Sequence, residues 1–111
     1  MTTGEYAERL GLTVVLEGEP KTVSGCYIGD LLSWVMGKAQ AGQIWLTVMS
    51  NTNVAAVASM TDVAAVVLCE GAAAEEGLIA RAEKLGLPVY ATSLPIFDLA
   101  CRTKTALEET E

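Results

Sequence analysis

The sequence predicts an α/β fold: a single layered domain with a largely parallel sheet flanked by helices. Two observations carry that reading. QIWLTVM at 43–49, the Ala65–Leu68 segment and LPVYAT at 87–92 are short, mostly apolar runs, as expected of strands covered on both faces. Between them stand helix-like segments joined by connections of a few residues, and that alternation builds parallel sheets with helices packed on them. At 111 residues the chain suits one core, and its composition, 51% apolar but only 5% aromatic, suits close packing of Ala, Val and Leu.

The elements follow in order. In Thr3–Leu10 the residues Tyr6, Ala7 and Leu10 share one helical face, and Gly11 stops the helix. LTVVLEG at 12–18 is rich in β-branched residues and reads as a strand, with a turn at Gly18-Glu19-Pro20. KTVSGCYIG at 21–29 is irregular or strand-like. Asp30 then stands where it can cap a helix over Leu31–Ala39. Leu31, Leu32, Trp34, Val35 and Met36 leave that helix few polar positions, so it is expected to be buried on more than one side, with Trp34 in the core. Gly42 ends the connection to QIWLTVM.

The polar knot Ser50-Asn51-Thr52-Asn53 leads into VAAVASM, which reads as a helix started by Asn51 or Asn53. DVAAVVLCEG at 62–71 gives a turn and a second buried strand closing at Gly71. Ala74–Leu85 is the clearest helix: Leu78, Ile79, Ala82 and Leu85 recur at three- and four-residue steps, opposite charged positions. Gly86 ends it, and Pro88 enters the third buried strand. Ser93 is placed to cap the last helix, whose apolar residues run from Ile96 to Cys101. The tail KTALEETE is acidic and expected to fray. Residues 1–111 therefore read as one domain, with a core at about 5–102 and a tail at 103–111.

Seven basic against fourteen acidic residues give a charge of −7, which argues against nucleic acid and anionic lipid as partners. The uncharged stretch Ala39–Met60 is too interrupted by polar residues to cross a membrane, and the N-terminus lacks a secretory pattern, so a cytoplasmic location is expected. Cys26, Cys69 and Cys101 form no CxxC pair, and without histidine no mixed zinc site can be completed. They read as reduced, structural thiols. The missing histidine also removes the commonest general base and every Ser-His or Cys-His pair. No GxGxxG or GxxxxGK[ST] fingerprint is present, and neither enzymatic activity nor a cofactor is expected.

Three turns end the buried strands and should share one edge of the sheet, where open α/β sheets collect ligands. Asn51, Thr52 and Asn53 in the first, Glu70 and Gly71 in the second, and Thr92 in the third are the candidate ligand contacts. Each also has a purely structural reading. Asn, Ser and Thr are preferred caps, Gly71 permits a tight turn, and Glu70, Glu75 and Glu76 read better as helix-dipole complements than as a cation site. Thr92 and Ser93 have no base to make either a nucleophile. Tyr27 could stack on a base or on a partner chain.

Gly29-Asp30-Leu31-Leu32, Ala41-Gly42 before a strand, and a helix followed by Gly-Leu-Pro-Val and a strand ending at Thr92 together resemble the DRTGG domain, over about residues 5–102. That domain occurs alone, in phosphotransacetylases, and beside CBS domains in regulated pyrophosphatases; it is related to the N-terminal domain of HPr kinase/phosphorylase. Its Asp-Arg pair falls here on Asn51-Thr52 or Thr52-Asn53, and its Thr-Gly-Gly on Cys69-Glu70-Gly71, of which Gly71 alone is kept. The resemblance implies a non-catalytic regulatory module, often a homodimer, acting through a partner enzyme and in some contexts sensing an adenine nucleotide. The alternative is a dimerisation module without a small-molecule ligand.

Overall fold

The computed structural model describes residues 1–109. Its elements are α1 (Thr3–Arg9), β1 (Thr13–Leu16), β2 (Gly25–Ile28), α2 (Leu32–Lys38), β3 (Gln43–Thr47), α3 (Thr52–Thr61), β4 (Ala65–Leu68), α4 (Glu76–Leu85), β5 (Val89–Ala91) and α5 (Ile96–Glu109). The five strands form one sheet in the order β1-β5-β4-β3-β2. Pairings β2–β3, β3–β4 and β4–β5 are parallel, and β1 alone runs antiparallel, against β5. The expected α/β domain with a largely parallel sheet is what the chain forms.

Side-chain alternation along the strands divides the core. Trp45, Val66, Leu68 and Val89 point to one face and pack with Val35, Val54, Leu78 and Ala82 of α2, α3 and α4. Ile44, Leu46, Val67 and Tyr90 point to the other, against Tyr6 and Ala7 of α1 and Leu99 of α5. The sheet is thus sandwiched between two helical layers. The α1 N-terminus carries a full capping box, Thr2 with Glu5, and the Thr2 backbone N–H that donates to the Glu5 carboxylate, with the Thr2 side chain beside it, holds that carboxyl below its usual range.

Several expectations are corrected. Trp34 is 58% exposed, and the fully buried tryptophan is Trp45, whose indole N–H donates to the Gly29 carbonyl at 2.9 Å. Only Val35 of α2 is fully buried, because a seven-residue helix at the end of the helical layer, packed on α3, turns a single flank inward. Asp30 does not cap α2: Leu31 is the N-cap, without a side-chain bond. The expected fraying of the tail fails through Glu109, since α5 continues with Thr103 and Ala106 buried. Thr103 shares a 2.7 Å hydrogen bond with the Tyr6 hydroxyl, and Arg9 pairs with Glu109, so α1 holds the last turns. Thr110 and Glu111 of that tail lie outside the described residues.

The three thiols are free. Cys69 is buried, Cys26 half-buried and Cys101 exposed, so the expectation of buried thiols fails for Cys101. Burial pushes the Cys26 thiol up to about 12 and the Cys69 thiol up to about 11, with the Glu70 carboxylate adding to the latter. An unfolded chain releases these protons near pH 8.5 or so. Below that pH both states keep them and the contribution is complete; above it the folded state holds protons the unfolded state has lost, and stability falls. Urea titrations should therefore give constant stability from pH 6 to 8 and a loss of roughly 1–2 kcal/mol per buried thiol by pH 10. Replacing Cys26 and Cys69 by alanine should flatten that decline; an equally steep decline would contradict the assignment.

Candidate functional site

The carboxyl ends of the four parallel strands open onto four loops, and a hydrogen-bond chain ties them together. At the first, Asp30 Oδ1 accepts from the Thr47 hydroxyl at 2.6 Å and from the Val48 N–H at 3.0 Å. Thr47, fully buried, in turn accepts from the Met49 N–H at 3.1 Å. Asp30 therefore anchors the β3–α3 loop, a role invisible to a local reading because its partners lie seventeen and eighteen residues away.

In the next loop Asn51 is the N-cap of α3, its side chain accepting from the Asn53 N–H at 2.9 Å. The capping half of the reading of the polar knot is thus realised. Ser50 joins the β4–α4 loop twice: its carbonyl accepts from the Glu75 N–H at 3.1 Å, and its hydroxyl lies 3.3 Å from Glu75 Oε2. Thr52 abuts Gly77, where a Cβ would meet its hydroxyl, so the first turns of α3 and α4 lie in direct contact. Asn53 is exposed on the outer side of α3.

After β4 the chain reverses sharply. Glu70 and Gly71 both have left-handed backbones, φ +59° and +79°, and Ala72 donates its N–H to Cys69 O at 3.1 Å. Two consecutive left-handed residues closed by that bond make a type I′ turn, which Gly71 suits and in which Glu70 stores about 1 kcal/mol of strain. The turn is clamped to the β5–α5 loop: Glu70 N–H donates to Leu94 O at 2.9 Å and Gly71 N–H to Thr92 O at 3.0 Å. Glu70 Oε2 also accepts from the Ile96 N–H at 3.4 Å, taking at the start of α5 the place expected of Ser93. Thr92 turns its hydroxyl back onto the Leu94 N–H at 3.2 Å.

The six candidates therefore separate. Glu70, Gly71 and Thr92 come together, while Asn51, Thr52 and Asn53 form the start of α3, one loop away. Beside the first group lies a groove of about 440 Å³, bounded by Thr13 and Val15 of β1, the Gly71–Ala74 loop, and Thr92 with Ser93. Thr13 and Val15 were not anticipated, and Ser93, expected beside Thr92 on this edge, was read as a cap rather than a contact. The antiparallel pairing of Thr13 with Ala91 brings β1 to this edge, and no local pattern announces that pairing. The groove offers methyl groups, three hydroxyls and loop backbone. No lysine, arginine or carboxylate lines it. Among the described residues no cluster of three or more Asp, Glu or Cys could hold a metal ion.

A five-stranded, mostly parallel α/β sandwich thus gathers its loops at the strands' carboxyl edge, the place where open α/β sheets in general collect ligands. The chain's similarity to known structures narrows this. It superposes with a TM-score of 0.68 on the CBS and DRTGG domains of the regulatory region of Clostridium perfringens pyrophosphatase, a structure complexed with the activator diadenosine tetraphosphate. Identity is 16%, and the match covers 91% of this chain and 44% of that one. The fold is thus similar to a DRTGG/CBS-type fold, and the chain spans less than half the length of that neighbour. No family model matches the sequence. No curated protein matches it.

Proposed function

We propose that this chain is a non-catalytic regulatory domain, a diverged member of the DRTGG family, that senses a small molecule at the carboxyl edge of its sheet and acts through a partner enzyme in the cytoplasm. The observation that carries the reading is the groove beside the strained Glu70-Gly71 turn, where Thr13, Thr92 and Ser93 offer hydroxyls around an apolar floor. The fold neighbour's origin in a regulatory region supports it. Among the described residues no helix is long and apolar enough to cross a membrane.

An adenine nucleotide is the ligand class proposed. With no cation lining the groove, recognition falls on the base and ribose, and the phosphates extend into solvent. Gly71 and Thr92 would contact the ligand directly. Glu70 would hold the turn, and Asn51, Thr52 and Asn53 would meet only a ligand long enough to reach the α3 start.

A thermal-shift series with adenosine, AMP and ATP, each with and without magnesium, and guanine counterparts tests this. At ligand ten times above its Kd the midpoint should rise by roughly 5 °C, from about 1.4 kcal/mol of linkage. Thr92→Val should abolish the rise. Asn51→Ala should lower the unliganded stability by about 1 kcal/mol through the lost cap while leaving the adenosine response in place. A flat response to all nucleotides at millimolar concentration would remove the small-molecule reading.

A further inference from the structure

The two outer edges of the sheet differ. At β1 the pairing slips between Val14 and Leu16, and Glu17 and Glu19 follow, so that edge is kinked and charged. The β2 edge, Gly-Cys-Tyr-Ile, has neither a charge nor a proline, and among the described residues no strand lies beyond it. Tyr27 is in register with Trp45, and Gly29 donates its N–H to Leu46 O at 3.3 Å. In a parallel ladder that register turns the backbone of Gly25 and Tyr27 toward β3, and the N–H and C=O of Cys26 and Ile28 toward the open edge. Edges of this kind are the ones to which an extended chain adds.

Beside the edge lies a groove of about 490 Å³, bounded by Cys26, Tyr27 and Ile28 of β2 and by Ala100, Lys104 and Leu107 of α5. Lys104 is the one charged side chain lining it, exposed on α5 in a chain whose overall charge is −7. Because α5 follows β5 at the carboxyl edge, it runs back along the sheet, with Ala100 toward the Ile28 end of the groove and Lys104 one turn further on. That turn spans about 6 Å of helix. Same-side residues of an extended chain stand about 6.8 Å apart, so a strand laid on β2 presents one side chain to Ile28 and Ala100 and the next on that side to Lys104.

We propose that the groove between β2 and α5 holds an extended segment of another protein, added antiparallel to the β2 edge, with an apolar side chain against Ile28 and Ala100 and, two residues on, a carboxylate at Lys104. The edge selects an extended chain over a compact molecule, because the donor and acceptor of Cys26 recur at Ile28 at the strand spacing. Lys104 selects an acid over a base. The β2 strand of a second copy does not fit: Gly-Cys-Tyr-Ile brings no acid to Lys104, and Asp30 beyond it is held by the Thr47 hydroxyl and the Val48 N–H. The inference stands apart from the small-molecule reading, since the groove beside Thr92 lies against β1 and β5, at the other end of the sheet order.

Titration with a short capped peptide tests it, threonine throughout except for a central valine and a glutamate two residues later. Saturable amide shifts are expected at Cys26, Ile28, Ala100 and Lys104, with slowed exchange at the Cys26 and Ile28 amides. N-methylating the valine, whose N–H donates to the edge, should weaken binding about tenfold, whereas N-methylating the threonine between valine and glutamate should leave it unchanged. Glutamine in place of the glutamate should weaken it about threefold, and Lys104→Glu should reverse the preference toward a lysine-bearing peptide. Absence of saturation up to about 5 mM peptide overturns the proposal, as do equal losses from the two N-methylations or a preference that Lys104→Glu leaves intact. Slowing of the Cys26 and Ile28 amides when the protein alone is concentrated also overturns it, because a second copy would then cover the edge.

Discussion

Trp45→Ala is expected to remove about 3–5 kcal/mol of stability, while Trp34→Ala is expected to change the stability of the isolated fold by less than about 0.5 kcal/mol. Trp45 is fully buried on β3, between the sheet and the layer of α2, α3 and α4, and its loss leaves a cavity with Val35, Val54 and Val66 around it. It also strands the Gly29 carbonyl that accepts its indole N–H, a cost of about 1–3 kcal/mol if water does not reach it. Against a total of about 5–15 kcal/mol for a domain, that loss is decisive. Trp34 is more than half exposed, with Lys38 Nζ 4.1 Å from its ring centroid. Chemical denaturation followed by far-UV circular dichroism separates the two, because it is read through the backbone and not through the tryptophans themselves. Equal losses at the two positions would contradict the burial assigned to them.

The second large effect is expected at Gly18. Its φ is +62°, and a Cβ there would press on the backbone nitrogen of Pro88, reach 2.7 Å from the Leu87 carbonyl carbon and 2.8 Å from Gly86 O. None of those atoms belongs to a side chain that can move aside. The neighbouring Glu19 N–H donates to Gly86 O at 2.7 Å, so the turn after β1 is pinned to the end of α4. Gly18→Ala adds a left-handed alanine, about 1–2 kcal/mol, to an overpacking cost of about 1–3 kcal/mol. A loss of about 3 kcal/mol or more should appear in urea titrations. Gly11→Ala is the matched control: its φ is +64°, but no heavy atom lies within 4 Å of the added methyl. About 1 kcal/mol is expected there, and similar losses at the two glycines would show that contact with the 86–88 backbone is not what holds β1 in place.

Much of the fold was legible because the residues that form it act locally. Ala65–Leu68 and Gln43–Thr47 read as strands because, Thr47 apart, every residue that ends up buried is apolar, and α4 reads as a helix because its two faces differ in polarity. The failures share a different cause. Leu31 and Trp34 are apolar yet more than half exposed, so counting them as core misread α2. The tail looked frayed because Arg9 and Tyr6, which hold its last turns, lie at the opposite end of the sequence. The antiparallel placement of β1 against β5 was illegible for the same reason, and with it the Thr13 side of the groove.

At the site, a local reading found residues whose job is partly local. Asn51 caps α3, and Gly71 sits in a turn whose geometry calls for it. What it could not find was the convergence: that Gly71 bonds to Thr92 across two strand ends, and that Asp30 ties a distant loop through Thr47. The polar knot Ser50–Asn53 stands beside the groove rather than in it, which shifts the proposed contacts toward Gly71 and Thr92.

The central claim is that the groove at the carboxyl edge binds a small ligand, and amide chemical-shift mapping during titration with adenosine and then ATP tests it most directly. The account predicts saturable shifts confined to Gly71–Ala74, Thr92, Ser93 and the facing Thr13, with adenosine alone sufficient to produce them. Absence of saturable shifts for both compounds, or shifts centred away from that groove, would contradict it.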